Sequence, residues 1–344
     1  MRIGIWAPNA AFDPETKKIS TGLKLDVDII RYAAEETGNG FGICNELDCN
    51  FDIVFSLEKT PPKKIIKMLK AKGAKIAWCV NTDLLSMYPG CIGKSGMIDF
   101  YIGKTQAQAD YISDIGWEGE THRIHFASPF EPSTEIQNTP RTTLLHFAGS
   151  SLYKNSMQQL RAGIELVEEG YFKEMVVKLS SHKPSFQEAI DRMKKLASTH
   201  PKVKIIDTYL SEEEKSKLYH RTGVALCASA REGFGHYILE AASYGCQVVT
   251  TDGFPMSEIL ETQVYLATAK RKLPDDDSLW GFRYECKKDE IKQACYAALS
   301  VTMNPSEAKG NIRRRKRMFL EDFKSFLTNA NIVEHERPSA WEMF

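Results

Sequence analysis

The chain has 344 residues, more than one ordinary hydrophobic core accommodates, so two domains of about 150 residues are expected. Lysine plus arginine and aspartate plus glutamate both number 45, which excludes a global field drawing the chain to nucleic acid or anionic lipid. The hydrophobic fraction of 42% is that of an ordinary globular protein. No apolar run reaches the ~18 residues of a membrane span, and residues 1–6 lead into Pro8 without a signal-peptide pattern, so a cytoplasmic protein is expected. Cys44, Cys49, Cys79, Cys91, Cys227, Cys246, Cys286 and Cys295 form no Cys-x-x-Cys pair, and Cys227 and Cys246 border predicted core strands. They read as reduced thiols serving as small buried hydrophobes.

Residues 1–6 form an opening strand, and Thr21-Gly22-Leu23 leads from a loop into a helix reaching about Glu35. Residues 51–55 and 75–80 read as further buried strands, with an amphipathic helix at 61–72 between them. Its lysines, Lys63, Lys64, Lys67, Lys70 and Lys72, describe a solvated face. Asn81-Thr82-Asp83 follows a strand end, where open α/β sheets collect ligands. Gly93-Lys94-Ser95 resembles the end of a P-loop, but that spacing needs glycine at 88, where the chain has Tyr88. A strand at 99–103, a helix at 105–114 and a strand at 122–126 complete the first domain, and the polar stretch 131–140 with two prolines reads as a linker.

The second domain begins with a strand at 143–149, then Ser150, Lys154 and a helix at 157–169. Strands follow at 175–179, ending near Lys178, and at 202–206. Tyr209 and Leu210 precede Ser211-x-x-Glu214, a capping box that opens a helix through Tyr219. Residues 224–228 are a buried strand, Gly233-Phe234-Gly235 a turn, and a helix runs from about His236 to Gly245 before the next strand at 248–250. Two glycines at a strand-to-helix turn make an anion site from backbone amides and a helix N-terminus. Glu232 precedes the turn and Glu240 follows eight residues on, opposite the packing stripe of Ile238, Ala241, Ala242 and Gly245. Two carboxylates beside an amide-lined cradle suit a nucleotide diphosphate carrying a polyol. The third position of Gly-x-Gly-x-x-Gly is Ile238, which argues against a dinucleotide dehydrogenase. Asp275-Asp276-Asp277 invites a metal reading, against a plain loop charge run after Pro274. A long helix over 306–327 carries Arg313 to Arg317, a patch for nucleic acid or acidic membrane, or a helix spanning two domains.

The order Ser229, Glu232-Gly233-Phe234-Gly235, Leu239-Glu240-Ala241-Ala242, Gly245 and Ser257-Glu258-Ile259 resembles the Glu-x7-Glu signature of retaining GT-B glycosyltransferases, the group 1 family that includes glycogen synthase and sucrose synthase. That resemblance implies an α/β architecture of two Rossmann-like domains facing across a cleft. It places an acceptor domain at 1–138, a nucleotide-sugar domain at 139–318, and a helix and tail at 319–344 crossing back to the first domain. The implied reaction moves a hexosyl or pentosyl group from a nucleotide-diphosphate sugar to an acceptor hydroxyl, with retention and without metal or cofactor. Glu232 would hold sugar hydroxyls and Glu240 the ribose, while Lys154 and the backbone of Gly233, Phe234 and Gly235 would hold the diphosphate. Ser150 stands where the family has an arginine, with Lys178 either its substitute or a surface lysine. Tyr209 and Leu210 would contact the base, and Gly22 and Asp83 would lie on the side of a glycan, lipid or small-molecule acceptor. Two rivals remain: transfer to a modified DNA base, favoured by the basic helix, and a non-catalytic nucleotide-sugar binder, allowed by the absent arginine.

Overall fold

The computed structural model describes residues 1–7, 21–45, 50–81, 95–134, 140–149, 152–179, 186–272 and 283–330. They form two compact units, one of Met1–Pro129 with Lys316–Phe344, the other of Phe130–Arg315.

The first unit is a parallel sheet of β1 (Arg2–Trp6), β2 (Gly40–Ile43), β3 (Ile53–Leu57), β4 (Lys75–Cys79), β5 (Phe100–Gly103) and β6 (Glu120–Arg123), in the order β2-β1-β3-β4-β5-β6. The helices α1 (Thr21–Glu36), α2 (Lys63–Ala71) and α3 (Gln106–Ile115) connect these strands. The central strands are apolar runs because helices cover a parallel sheet on both faces, and β3 is buried throughout. Periodicity misses β2, a Gly-rich edge strand of four residues, and shifts β6, which occupies 120–123 rather than 122–126. Edge strands bury less side chain and so show a weaker pattern. In α2, Ile65, Ile66 and Leu69 face the core while Lys63, Lys64, Lys67 and Lys70 are exposed, which is the solvated lysine face. α3 opens on Thr105, whose hydroxyl accepts from the Gln108 amide, and closes on Gly116.

The last helix, α9 (Pro305–Asn329), begins in the second unit and ends in the first. There its phenylalanines enter the core: Phe323 stacks on Phe55 at 5.4 Å, Phe319 meets Phe126 edge-on at 5.4 Å, and Phe326 meets Phe100 at 5.3 Å. The same unit buries an ion pair between Lys104 and Asp26 at 2.9 Å, with the ammonium 5.0 Å from the Phe126 ring centroid.

The second unit holds β7 (Thr143–Gly149), β8 (Glu174–Leu179), β9 (Val203–Ile206), β10 (Thr222–Cys227), β11 (Gln247–Thr251) and β12 (Val264–Ala267), parallel in the order β12-β11-β10-β7-β8-β9. Around them lie α4 (Ser156–Glu168), α5 (Gln187–Ala197), α6 (Glu212–His220), α7 (His236–Ser243) and α8 (Lys288–Leu299). A hairpin of β13 (Lys270–Lys272) and β14 (Arg283–Glu285) is added to this frame. The capping box of α6 forms as the sequence requires: the Glu214 amide donates to the Ser211 hydroxyl at 3.2 Å, and the Ser211 amide to the Glu214 carboxylate at 2.8 Å. The strand order reverses between β7 and β10, the doubly wound arrangement whose switch point opens a crevice at the carboxyl ends of the strands. The six described cysteines are buried and free, as small core residues.

Phe323 is fully buried, so Phe323→Ala should cost about 3–5 kcal/mol of stability, read as a lower urea midpoint. A loss below ~1 kcal/mol would mean that α9 is not part of the core of the first unit.

Candidate functional site

The crevice of the second unit is built from the loops after β7 and β10. Lys154 closes the turn after β7, and Glu232 lies in the loop after β10. The Lys154 ammonium contacts the Glu232 carboxylate at 2.5 Å, with the two side chains 18% and 13% exposed. The same ammonium sits 3.8 Å from the centroid of the Tyr237 ring, a cation–π contact on its second side. The Tyr237 hydroxyl donates to the Cys227 carbonyl at 2.8 Å and lies 2.6 Å from the Ser229 hydroxyl. Burial, reinforced by the Glu232 charge, pushes this phenol well above its ordinary pKa, so it stays neutral.

Gln159, buried in α4, ties the two loops together. Its amide donates to the Lys154 carbonyl at 2.6 Å, and its oxygen accepts from the Ala228 amide at 3.0 Å. The Ala230 amide donates to the Tyr153 carbonyl at 2.7 Å. Asn155, in the left-handed region at φ 53°, turns the chain into α4. Beneath, His146 of β7 is wholly buried. A carbonyl only accepts, so its Nδ1 donates to the Leu226 carbonyl at 3.0 Å and its Nε2 accepts from the Ser156 hydroxyl at 2.9 Å. Burial, with Lys154 adding to it, holds the imidazole at a pKa of about 4.

α7 starts at Gly235, which has φ 110°, and a Cβ there would meet Ile259 at 3.1 Å. Only glycine combines that dihedral with so close an approach. The Phe234 ring is buried beside His236 and the Arg315 guanidinium, so what it can offer a ligand is backbone. Glu240 is not a free surface charge. One oxygen pairs with Lys215 at 2.7 Å and the other accepts from the Tyr219 hydroxyl at 3.1 Å. Tyr219 is in turn stacked against Phe147 and Tyr244.

The structure thus brings Lys154, Glu232, Gly233, Phe234 and Gly235 into one neighbourhood. Lys178 is 7% exposed, and its ammonium donates to the carbonyl of Leu179 at the end of its own strand. Burial lowers its pKa, against the pull of Asp207. Tyr209 is 86% exposed and Leu210 half-buried, in the segment between β9 and α6. Gly22 lies in the first turn of α1 rather than in a loop before it. Ser150, Asp83 and Asp275 to Asp277 lie outside the described residues. Among the described residues no cluster of His, Cys, Asp or Glu could hold a metal, and no helix is long and apolar enough to cross a membrane. In the basic run of α9, Arg314 pairs with Glu261, Arg315 donates to the Glu258 carbonyl, Lys316 to the Pro129 carbonyl, and Arg317 lies 3.9 Å from Glu321. That run is largely engaged within the protein. Sequence reasoning missed Tyr237, Gln159, His146, Lys215 and Tyr219. A glutamine on the buried stripe of α4 was the one available signal, since apolar stripes do not carry amides without a partner.

Two doubly wound parallel units, with an acidic and a basic group meeting at one switch point, define the GT-B class of fold. Within it, residues 184–273 belong to the family of glycosyl transferases group 1. Solved structures share the fold. Anabaena Alr3699/HepE, in complex with UDP and glucose, is 12% identical with a TM-score of 0.64, over 96% of this chain and 100% of that one. The pneumococcal O-GlcNAc transferase GtfA, in complex with UDP and GlcNAc, is 16% identical with a TM-score of 0.55, over 81% of this chain and 56% of that one. The trehalose-6-phosphate synthase OtsA is 11% identical with a TM-score of 0.58, over 89% and 77%. This chain therefore spans little more than half the length of the pneumococcal protein. Comparison with curated proteins by sequence finds no match.

The His146 environment generates a pH dependence. An unfolded imidazole protonates near ~6.5, whereas the folded one does so only at about 4. The unfolded state therefore binds more protons in that window, and stability falls as pH drops through it. Thermal unfolding midpoints measured from pH 7 to pH 4 should fall more steeply for the wild type than for His146→Asn. Parallel profiles would show that His146 titrates normally.

Proposed function

We propose that the chain transfers a sugar from a nucleotide-diphosphate donor to an acceptor hydroxyl, with retention and without a metal ion. The observation that supports this reading best is the Lys154–Glu232 pair at the switch point, beside the glycine turn that opens α7. The bond from the anomeric carbon to the diphosphate must break, a bond to the acceptor oxygen must form, and the acceptor proton leaves with the phosphate. Such a reaction develops negative charge on the leaving diphosphate and positive charge on the sugar. Lys154 and the backbone of Gly233 to Gly235 answer the first. Glu232 answers the second and accepts from sugar hydroxyls. Glu240 would accept from the ribose, and Tyr209 and Leu210 would border the base. UDP complexes of proteins with this fold make a uridine donor the first to test. Acceptors of three kinds enter the assay: a glycan or other polyol, a lipid, and hydroxymethylated DNA.

Release of free nucleoside diphosphate from a panel of donors, with and without each acceptor, tests the activity itself. Turnover should persist in excess EDTA, because amides and a lysine carry the leaving-group charge. Loss restored by Mg²⁺ or Mn²⁺ would overturn the metal-free part of the proposal.

Lys154→Ala should weaken nucleoside diphosphate binding by about 1.5–3 kcal/mol while leaving nucleoside binding unchanged. Glu232→Gln should keep nucleoside diphosphate affinity or tighten it, since Lys154 loses a competing partner, yet cut turnover about 10²–10³-fold. Glu240→Gln should weaken nucleoside and nucleoside diphosphate alike. Calorimetry beside a turnover assay separates the three, and wild-type turnover in both glutamate variants would remove the enzymatic reading.

A further inference from the structure

A second cavity of about 720 Å³ opens in the second unit, away from Glu232 and Phe234, between the start of α4, the β13–β14 hairpin and the start of α8. Five of its lining side chains are cationic, Arg161, Lys272, Arg283, Lys287 and Lys288, against two carboxylates, Glu285 and Asp289. The chain as a whole is charge-balanced at 45 against 45, so this excess is local.

Ion pairing inside the cavity leaves the excess in place. Glu285 pairs with Lys272 at 3.2 Å, and Asp289 lies 3.5 Å from Lys288, which also holds Glu165 at 2.6 Å. Neither Arg161 nor Lys287 has an ion-pair partner among the described residues, and both are exposed on the cavity wall. Like charges gathered this way repel one another, and an anion between them removes that repulsion.

The walls are tied to the core. The Tyr284 amide donates to the Ala230 carbonyl at 2.6 Å, and the Asn155 amide group donates to the Cys286 carbonyl at 2.8 Å. The Tyr284 ring is 7% exposed and packs so closely on Gly253 that a Cβ there would lie 2.5 Å from it. The strand β14 is therefore pinned from both sides, which presets the cavity. Its volume falls in the range of small-ligand sites, about 300–1,000 Å³. An arginine offers a planar fork and lysines offer point charges, a set suited to a phosphate with several oxygens.

We propose that this cavity binds a phosphate-bearing small molecule or headgroup, at a site separate from the Lys154–Glu232 crevice. The proposal does not depend on the glycosyltransferase reading.

The test is calorimetric titration of the full chain with inorganic pyrophosphate and with glucose 6-phosphate. Vesicle sedimentation on phosphatidylcholine with and without phosphatidic acid runs beside it. The proteins are wild type, Arg161→Ala/Lys287→Ala, the charge-retaining Arg161→Lys/Lys287→Arg, and Lys154→Ala. Wild-type binding to at least one phosphate probe is expected. It should fall about tenfold or more in the double alanine variant, as for loss of charge-assisted contacts, and persist in the charge-retaining and Lys154→Ala variants. Binding of glucose 6-phosphate then assigns a soluble ligand, and binding of phosphatidic acid vesicles alone assigns a headgroup. Absence of binding to every probe would overturn the proposal. So would binding that survives the double alanine substitution, or that disappears only in Lys154→Ala.

Discussion

One ion pair concentrates the constraints on the second unit. Lys154 and Glu232 are 78 residues apart and meet at 2.5 Å because β7 and β10 are neighbours from which the chain departs in opposite directions. Removing charges from water is costly, and a half-buried pair persists only with further support. Here Tyr237 supplies a ring face, Gln159 fixes the lysine-bearing turn to the end of β10, and the left-handed Asn155 directs the chain into α4. His146 beneath them is kept neutral, so no second cation competes for the carboxylate. Strand order, turn conformation and the protonation of a core histidine all converge on this one contact.

The architecture was legible in the sequence wherever burial wrote a pattern. Strands buried on both faces, such as β3 and β10, appear as continuous apolar runs, and the Ser211–Glu214 box marks the start of α6 to the residue. Legibility fails at edges and additions. β2 is four residues of half-exposed, glycine-rich chain, and the β13–β14 hairpin presents Lys270, Arg271 and Lys272, which read as loop. Site residues follow the same rule. Glu232 and Gly235 were accessible through spacing, because a glycine turn between strand and helix is a local feature. Gln159 and Lys215 act on residues distant in sequence, and no local pattern reports such a contact.

Glu240 shows how periodicity can place a residue correctly and still misjudge its surroundings. It lies off the apolar stripe of α7, as its position opposite Ile238 requires, yet it is only 12% exposed. Lys215 and Tyr219 approach from α6, a neighbour that the pattern of α7 cannot reveal. Each of the two glutamates therefore has a lysine partner, one from the turn after β7 and the other from a packed helix.

That difference in origin bears on how a donor would be recognised under the proposed function. A diphosphate that recruits Lys154 takes away the only ammonium in contact with Glu232 among the described residues. The half-buried carboxylate then needs new donors, and the hydroxyls of an attached sugar are of the right kind to supply them. A nucleoside diphosphate without its sugar leaves that need unmet. Preference for the complete donor would therefore arise from charge accounting at one position, without a separate sugar pocket. Glu240 behaves otherwise, because Lys215 sits on α6 and need not move when phosphate arrives. Its carboxylate stays paired and accepts from a ribose as a fixed anchor. The two glutamates, eight residues apart on one turn and helix, would then act as a responsive element and a rigid one.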